Sequence, residues 1–124
     1  MFNDKSLHLK DILKNEMSSV VFIRDYIQLI FENDKETMIF TSFTLPTIRK
    51  ESLIYQRTDM CYCNILCSLI NQSVIKIDVQ ADVAISLLFE SNILLEVSLK
   101  GEDNEGPEAA MFRSENGLTV WQLP

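Results

Sequence analysis

The most reactive side chains of this sequence are three cysteines and one histidine. Cys61, Cys63 and Cys67 fall within seven residues, and His8 is the only histidine. A cysteine nucleophile would need His8 as its base, and free cysteines on a helix are more often small core residues. A zinc site would need a fourth ligand, and the spacing of "CYCNILC" is not that of a zinc knuckle. We therefore expect no catalytic residue, no metal and no cofactor, with Cys63 and Cys67 reduced and structural.

The second chemical feature is the acidic loop in "KGEDNEGPEA". It carries Glu102, Asp103, Glu105 and Glu108 without the alternating ligand positions of an EF-hand, so calcium is not expected. Contact with a partner and a solvated turn both remain open for this loop. Trp121 is a candidate apolar anchor for the partner if its ring is exposed, although a lone tryptophan in a terminal strand is more often buried.

The charge distribution favours a basic partner. The net charge is −7, and residues 1–76 hold nine acidic and nine basic side chains, whereas residues 77–124 hold nine acidic and two basic ones. A phosphate backbone would be repelled by this surface, so we expect no nucleic acid. The acidic half can speed association with a basic protein, or it can serve only solubility.

Length and composition describe one domain. The chain has 124 residues, 47% of them hydrophobic and 23% charged, which is enough for a core without disulfides. Its longest apolar runs, such as "AISLLF", are far shorter than the roughly 20 residues of a membrane span. An odd number of crowded cysteines and the absence of a charged-then-apolar leader indicate a cytoplasmic protein without a membrane partner.

Two stretches of the sequence resemble each other. "SVVFIRDYIQLIFEN" and "SVIKIDVQADVAISLLFES" each follow a helical stripe, over 7–17 and 59–71, and each precedes a further strand. We expect an α+β fold in which a mostly antiparallel sheet is covered by two helices, built from a duplicated helix-strand-strand-strand unit at about 7–45 and 59–99. The alternative is that strands rich in Ile, Leu and Phe resemble one another by chance.

Alternation predicts the strand registers. The predicted cross-strand pairs are Ile27–Phe43, Leu29–Thr41, Phe31–Ile39, Ile85–Leu99, Leu87–Val97 and Phe89–Leu95. On these registers the opposite side of the sheet receives five apolar residues, Ile30, Met38, Phe40, Leu88 and Leu94. Either a curled sheet or the linker 46–58 covers that side, or it is a self-association surface.

Two turns can be predicted from short signals. Asn116 followed by Gly117 is a strong hairpin signal, and it predicts a hairpin over 109–123. The turn at Ser91 and Asn92 is predicted not to be a simple two-residue turn, since both strand registers require an odd-length connection.

The sequence resembles small uncharacterised bacterial α+β proteins with two helix-plus-hairpin repeats, some of which are immunity proteins. The resemblance is carried by the two repeats, by "LIFEN" and "LLFES", and by "GPEA" before a strand. It implies an acidic cytoplasmic protein that occludes a basic toxin domain, often a nuclease. A protein-binding module is therefore the expected function; a small-ligand-binding protein or enzyme, and a homo-oligomeric scaffold such as a homodimer, are the alternatives.

Overall fold

The computed structural model describes residues 8–123 as two five-stranded antiparallel sheets with one short α-helix. The first sheet has the order β1-β2-β3-β9-β10 and the second the order β5-β4-β8-β7-β6. The strands and the helix α1 have the following bounds: β1 Glu16–Phe22, β2 Ile27–Glu32, β3 Thr37–Ser42, β4 Thr47–Lys50, β5 Leu53–Tyr55, α1 Tyr62–Ser68, β6 Val74–Gln80, β7 Ala84–Phe89, β8 Leu94–Ser98, β9 Glu108–Ser114 and β10 Gly117–Gln122. Two 3₁₀ turns, Leu9–Ile12 and Gly101–Asp103, complete the described elements.

The two sheets differ in how the chain builds them. In the first sheet, the meander β1-β2-β3 pairs with the hairpin β9-β10, which comes from the end of the chain. In the second sheet, the meander β6-β7-β8 pairs with the hairpin β4-β5, which comes before it. The first sheet is therefore built from two separate segments, 16–42 and 108–122, whereas the second sheet is built from the continuous segment 47–98.

The inward faces of the two sheets share one hydrophobic core. Alternate residues of the central strands are buried, as period-two side-chain placement requires. Phe31 of β2 and Phe89 of β7 stack across the core with ring centroids 6.4 Å apart. The buried alternate residues of β2 and β7 are the ones that the sequence predicts, namely Ile27, Leu29, Phe31, Ile85, Leu87 and Phe89.

Main-chain hydrogen bonds join the start of β1, which follows the first 3₁₀ turn, to the start of β6, which follows α1. The amide of Lys14 donates to the carbonyl of Val74 at 3.0 Å, and the amide of Asn71 donates to the carbonyl of Met17 at 2.7 Å. Lys14 and Asn71 both adopt positive φ, at 66° and 76°. The strand register is also irregular directly after Met17 and directly after Val74.

The prediction of two helices covering one sheet is wrong. A 3₁₀ turn, Leu9–Ile12, stands where the helix over 7–17 is predicted, and the strand β1 has already begun at Glu16. The positive φ of Lys14 ends the turn, and β-branched residues after it favour a strand. Residue 7 of the predicted helix lies outside the described residues.

The second predicted helix exists in shortened form as α1. The predicted stripe is Tyr62, Leu66, Leu69 and Ile70; the first three are buried and Ile70 is half-buried. The Tyr62 hydroxyl donates to the carbonyl of Pro46 at 2.5 Å. This bond anchors α1 to the segment that enters β4. The sheets cover each other's inward faces, so α1 is not the cover of a single sheet.

Both predicted strand registers are wrong, and the turns explain why. Ile27 pairs with Ser42, one residue from the prediction, because the β2–β3 loop has four residues. In that loop the Asn33 side chain accepts bonds from the amides of Lys35 and Glu36. The shift moves Met38 and Phe40 into the core.

In the second meander, Ile85 pairs with Val97, two residues from the predicted Leu99, so that the inward face is kept. The loop between Phe89 and Ile93 has three residues with Asn92 at φ 71°, and the prediction that this turn is not a two-residue one is confirmed. The hairpin near the chain end is also confirmed, as β9 and β10. The segment 46–58, which the sequence indicates as a linker, contains the strands β4 and β5.

Candidate functional site

A cleft of about 580 Å³ opens at one end of the first sheet. Three segments surround it: the β1–β2 turn, the chain leaving β3, and the acidic loop before β9. The lining residues are Arg24, Asp25, Tyr26, Phe43, Thr44, Leu45, Asp103, Asn104, Glu105, Gly106, Pro107 and Glu108. We call this the acidic cleft.

Strand pairing brings the three segments together. Ile27 pairs with Ser42, so that Tyr26 and Phe43 lie side by side at the same end of the sheet. The amides of Phe43 and Thr44 both donate to the carbonyl of Ala109, at 2.9 and 3.3 Å. These bonds continue the β3–β9 pairing and place the chain leaving β3 against the acidic loop.

An aromatic pair forms the apolar part of the acidic cleft. The rings of Tyr26 and Phe43 lie 5.6 Å apart at an interplanar angle of 50°, and both side chains are half-buried. Tilted aromatic pairs of this kind gain from the quadrupoles of both rings. Their accessible faces can also attract a cation, since the π face of a ring is negative.

The acidic loop is tied to the end of β8 by polar side chains. The Ser98 hydroxyl donates to the Asp103 carboxylate at 2.6 Å and accepts the amide of Lys100 at 3.2 Å. The Asn104 side-chain amide donates to the carbonyls of Lys100, at 2.7 Å, and Ser98, at 3.3 Å. These four bonds fix the direction in which the loop leaves the sheet.

Negative charge predominates around the cleft. Its lining contains one basic residue, Arg24, and four acidic ones, Asp25, Asp103, Glu105 and Glu108, which gives a formal charge of −3. Glu108 is half-buried and the other four are exposed. Asp25 and Arg24 occupy the tip of a two-residue turn closed by main-chain bonds between Ile23 and Tyr26. A cation that enters the cleft would therefore meet carboxylates at its rim and aromatic rings inside.

A second cleft of about 350 Å³ adjoins the first and shares Thr44, Leu45 and Asp103 with it. It lies between the β6–β7 turn and the end of β8. The acidic cleft has the corresponding position in the first meander, between the β1–β2 turn and the end of β3. The β6–β7 turn contributes Val83 and Ala84 to the lining of this cleft, and no residue of the lining is aromatic. The aromatic and acidic combination is thus found in the first cleft and not in its neighbour.

The structure brings together three of the five predicted site residues. Asp103, Glu105 and Glu108 line the acidic cleft, whereas Glu102 is exposed on the same loop without lining it. Trp121 is 5% exposed and packs edge-on to Phe40 with centroids 6.3 Å apart. Its ring is in the core, so it cannot serve as an exposed anchor in this structure.

The cysteines do not form a common site. Cys63 is half-buried against the core, but Cys61 and Cys67 are exposed, so the expectation of a structural role is wrong for Cys67. Within residues 8–123 no group of three or more His, Cys, Asp or Glu side chains is arranged to hold a metal ion. In the same range no helix is long and apolar enough to cross a membrane.

Sequence reasoning missed the other half of the cleft, namely Arg24, Asp25, Tyr26 and Phe43. In "FIRDYI" the polar residues Arg24 and Asp25 separate two apolar runs, and this pattern does indicate a turn. Nothing local indicates that this turn lies beside a loop some eighty residues later, because that proximity follows from the pairing of β3 with β9. A comparison with known proteins found no matching family model, no similar curated protein and no similar solved structure.

Proposed function

We propose that the protein is a protein-binding module whose acidic cleft receives a basic side chain of its partner. The observation that carries this proposal is the placement of four carboxylates around the half-buried pair of Tyr26 and Phe43. Carboxylates attract the cation over long range and the rings contact it at short range. Arginine suits such a site better than lysine, because its planar guanidinium both stacks on rings and binds carboxylates in a fork.

The most specific form of the proposal is an inhibitor of the immunity type that neutralises a basic toxin domain in the cytoplasm. The resemblance of the sequence to small bacterial proteins of that style supports it, and so does the excess of acid over base in residues 77–124. Fast, charge-guided association would be useful to such an inhibitor, since it must capture the toxin before the toxin acts. Co-purification with the product of a neighbouring reading frame that encodes a basic toxin-like domain would support this form.

We further infer that the chain arose by duplication of one unit. Support comes from features that recur 57 residues apart: positive φ at Lys14 and Asn71, and strand irregularities after Met17 and Val74. The reciprocal main-chain bonds of these four residues also support it. On this proposal the two adjoining clefts are descendants of one ancestral cleft, and the first gained Tyr26 and Phe43.

The binding proposal is tested by calorimetric titration with a hexa-arginine peptide, using Asp25→Lys/Glu105→Lys as the cleft variant. The control is Asp34→Lys/Glu90→Lys, which reverses two exposed carboxylates outside the cleft. Each reversal adds two charges, so both variants change the net charge from −7 to −3. We expect the cleft variant to raise Kd at least about tenfold, or about 1.4 kcal/mol, and the control to raise it by less than about threefold.

Equal losses in the two variants would contradict the proposal, because they would mean that the peptide is attracted by net charge alone. A hexa-lysine peptide provides a second comparison. It carries the same charge as hexa-arginine but lacks the guanidinium plane, so we expect weaker binding to the parent protein.

A further inference from the structure

We propose that the outward face of the first sheet is the contact surface of a weak homodimer. The face consists of two cross-strand rows in the middle of the sheet, and we call it the apolar sheet face. One row is Val21, Gln28, Thr41, Met111 and Val120; the other is Ser19, Ile30, Ile39, Arg113 and Leu118. The proposal does not depend on the acidic cleft, because the two rows share no residue with its lining.

The composition of the apolar sheet face is unusual for an outward surface. Six of its ten residues are apolar and only Arg113 is charged. The Gln28 side chain donates to the Thr41 hydroxyl at 3.3 Å, and Thr41 is only 2% exposed, so Thr41 offers no free polar group to a partner. Leu118 is 52% exposed on the edge strand β10. A polar residue at this position would be compatible with the strand, so the fold does not require the exposed leucine.

The second sheet supplies an internal comparison. Its two corresponding outward rows are Lys76, Leu88, Leu94, Arg49 and Ile54, and Asp78, Ser86, Glu96 and Thr47. Four of these nine residues are charged, with both signs represented. The same architecture can therefore have an outward face of ordinary polarity, and the low charge of the first sheet's face is not imposed by the fold.

The dimensions of the face fit a small dimer interface. Taken together with the residues at the ends of its rows, the outward side of the first sheet has five strands about 4.8 Å apart and about six residues long at about 3.3 Å per residue, and covers roughly 500 Å². Two copies in contact would then bury about 1,000 Å², the size at which specific interfaces begin, so we expect a dissociation constant in the micromolar range or weaker. Glu16, Glu32 and Thr37 stand at one end of the rows and would form a polar rim.

A second copy is the partner that suits this composition best. A face with one charged residue among ten offers little electrostatic attraction to a basic protein. The same face on a second copy would bring aliphatic side chains into contact with aliphatic side chains. Two sheets can pack face to face about 10 Å apart with their strands aligned. Arg113 lies on β9, beside the central strand β3, so a two-fold axis along β3 places the two guanidinium groups on opposite sides of the interface.

Salt dependence separates this contact from binding at the cleft. Two copies that each carry a charge of −7 repel each other, and salt screens that repulsion. The dimer should therefore become stronger as salt is added, whereas the complex of the cleft with hexa-arginine should become weaker.

The test is sedimentation velocity of the full chain from about 1 µM to about 1 mM, the range in which an interface of this size associates. We expect the parent to move from its monomer mass of 14.3 kDa towards twice that mass. Ile39→Lys and Leu118→Lys should each raise the dimer Kd at least about tenfold, because each variant places two lysines in the interface. The matched control Leu94→Lys, on the outward face of the second sheet, should leave it unchanged.

Leu118 is exposed on the edge strand β10, so Leu118→Lys decides the question if Ile39→Lys fails to fold. A parent that remains monomeric throughout the range would overturn the proposal, even if another protein were later found on this face. Dimerisation that Leu118→Lys leaves intact, or that Leu94→Lys abolishes, would also overturn it. Unchanged hexa-arginine binding by Leu118→Lys is expected whichever result is obtained for the dimer.

Discussion

The rings of Tyr26 and Phe43 lie 5.6 Å apart although sixteen other residues separate them in the chain. Tyr26 directly precedes β2 and Phe43 directly follows β3, so the pairing of these strands brings the rings together at one end of the sheet. The acidic loop is then placed beside them by the bonds of Phe43 and Thr44 to Ala109. An aromatic surface bordered by carboxylates follows from this arrangement.

The order of the acidic loop should depend on Ser98. Its hydroxyl connects the Lys100 amide with the Asp103 carboxylate, and Ser98→Ala removes both bonds. We expect hydrogen exchange at the Lys100 amide to accelerate at least about fivefold, corresponding to about 1 kcal/mol for the lost bonds. Hexa-arginine binding should weaken as well, because a looser loop must be ordered on binding.

Ser86→Ala is the matched control for that variant. Ser86 is also half-buried on the outward face of the second sheet, but it lines neither cleft. Exchange at Lys100 should be the same in Ser86→Ala as in the parent. If Ser98→Ala also left it unchanged, the side-chain bonds would not be what orders the loop.

Tyr62 should make the protein sensitive to alkali. Burial raises the pKa of its phenol above the usual range, and the hydroxyl donates to the Pro46 carbonyl. Above pH about 10 the unfolded chain loses this proton while the folded protein keeps it, so the free energy of unfolding falls by up to about 1.4 kcal/mol per pH unit. Below pH about 10 the stabilisation from this group is fully present.

Tyr62→Phe tests this expectation by urea unfolding at pH 8 and pH 11. At pH 8 the variant should be less stable than the parent by about 1–3 kcal/mol, since it leaves the Pro46 carbonyl unpaired. At pH 11 the difference should be smaller, because only the parent pays for keeping Tyr62 protonated. Tyr55→Phe, at a half-buried residue, is the control. A stability difference that does not change with pH would argue against the role of Tyr62.

The three cysteines should differ in reactivity according to their exposure. Cys61 and Cys67 are exposed, whereas Cys63 is half-buried against the core. Under mild alkylation of the native protein we expect two thiols to react quickly and Cys63 to react at least about tenfold more slowly, since access limits thiol reactions. Mass spectrometry of the labelled peptides distinguishes them. Equal rates at all three positions would mean that α1 is not packed as the structure has it.

The sequence predicts which side chains face inward better than it predicts which strands pair. Ile27, Leu29 and Phe31 alternate, and their burial follows from the period of a strand whatever its neighbours are. The pairings of β3 with β9 and of β4 with β8 have no local signal, because each joins segments that are distant in the chain. For the same reason the sequence indicates a linker over 46–58, where the structure has the β4–β5 hairpin.

The acidic cleft shows the same division. Glu105 and Glu108 could be chosen from the sequence because charge and loop composition are local properties. Asp25 and Tyr26 could not, because their contribution depends on long-range pairing. Trp121 was open to two interpretations, and its place against Phe40 resolves them in favour of the core.

The central claim is that the acidic cleft is a binding site, and amide chemical-shift mapping with hexa-arginine tests it most directly. We expect progressive shifts confined to 23–26, 43–45 and 100–108, the three segments that form the cleft. These shifts should disappear in Asp25→Lys/Glu105→Lys and persist in Asp34→Lys/Glu90→Lys. Shifts spread over acidic positions outside the cleft, such as Asp34, Asp78 and Glu90, would contradict the claim, as would an unperturbed cleft in the presence of bound peptide.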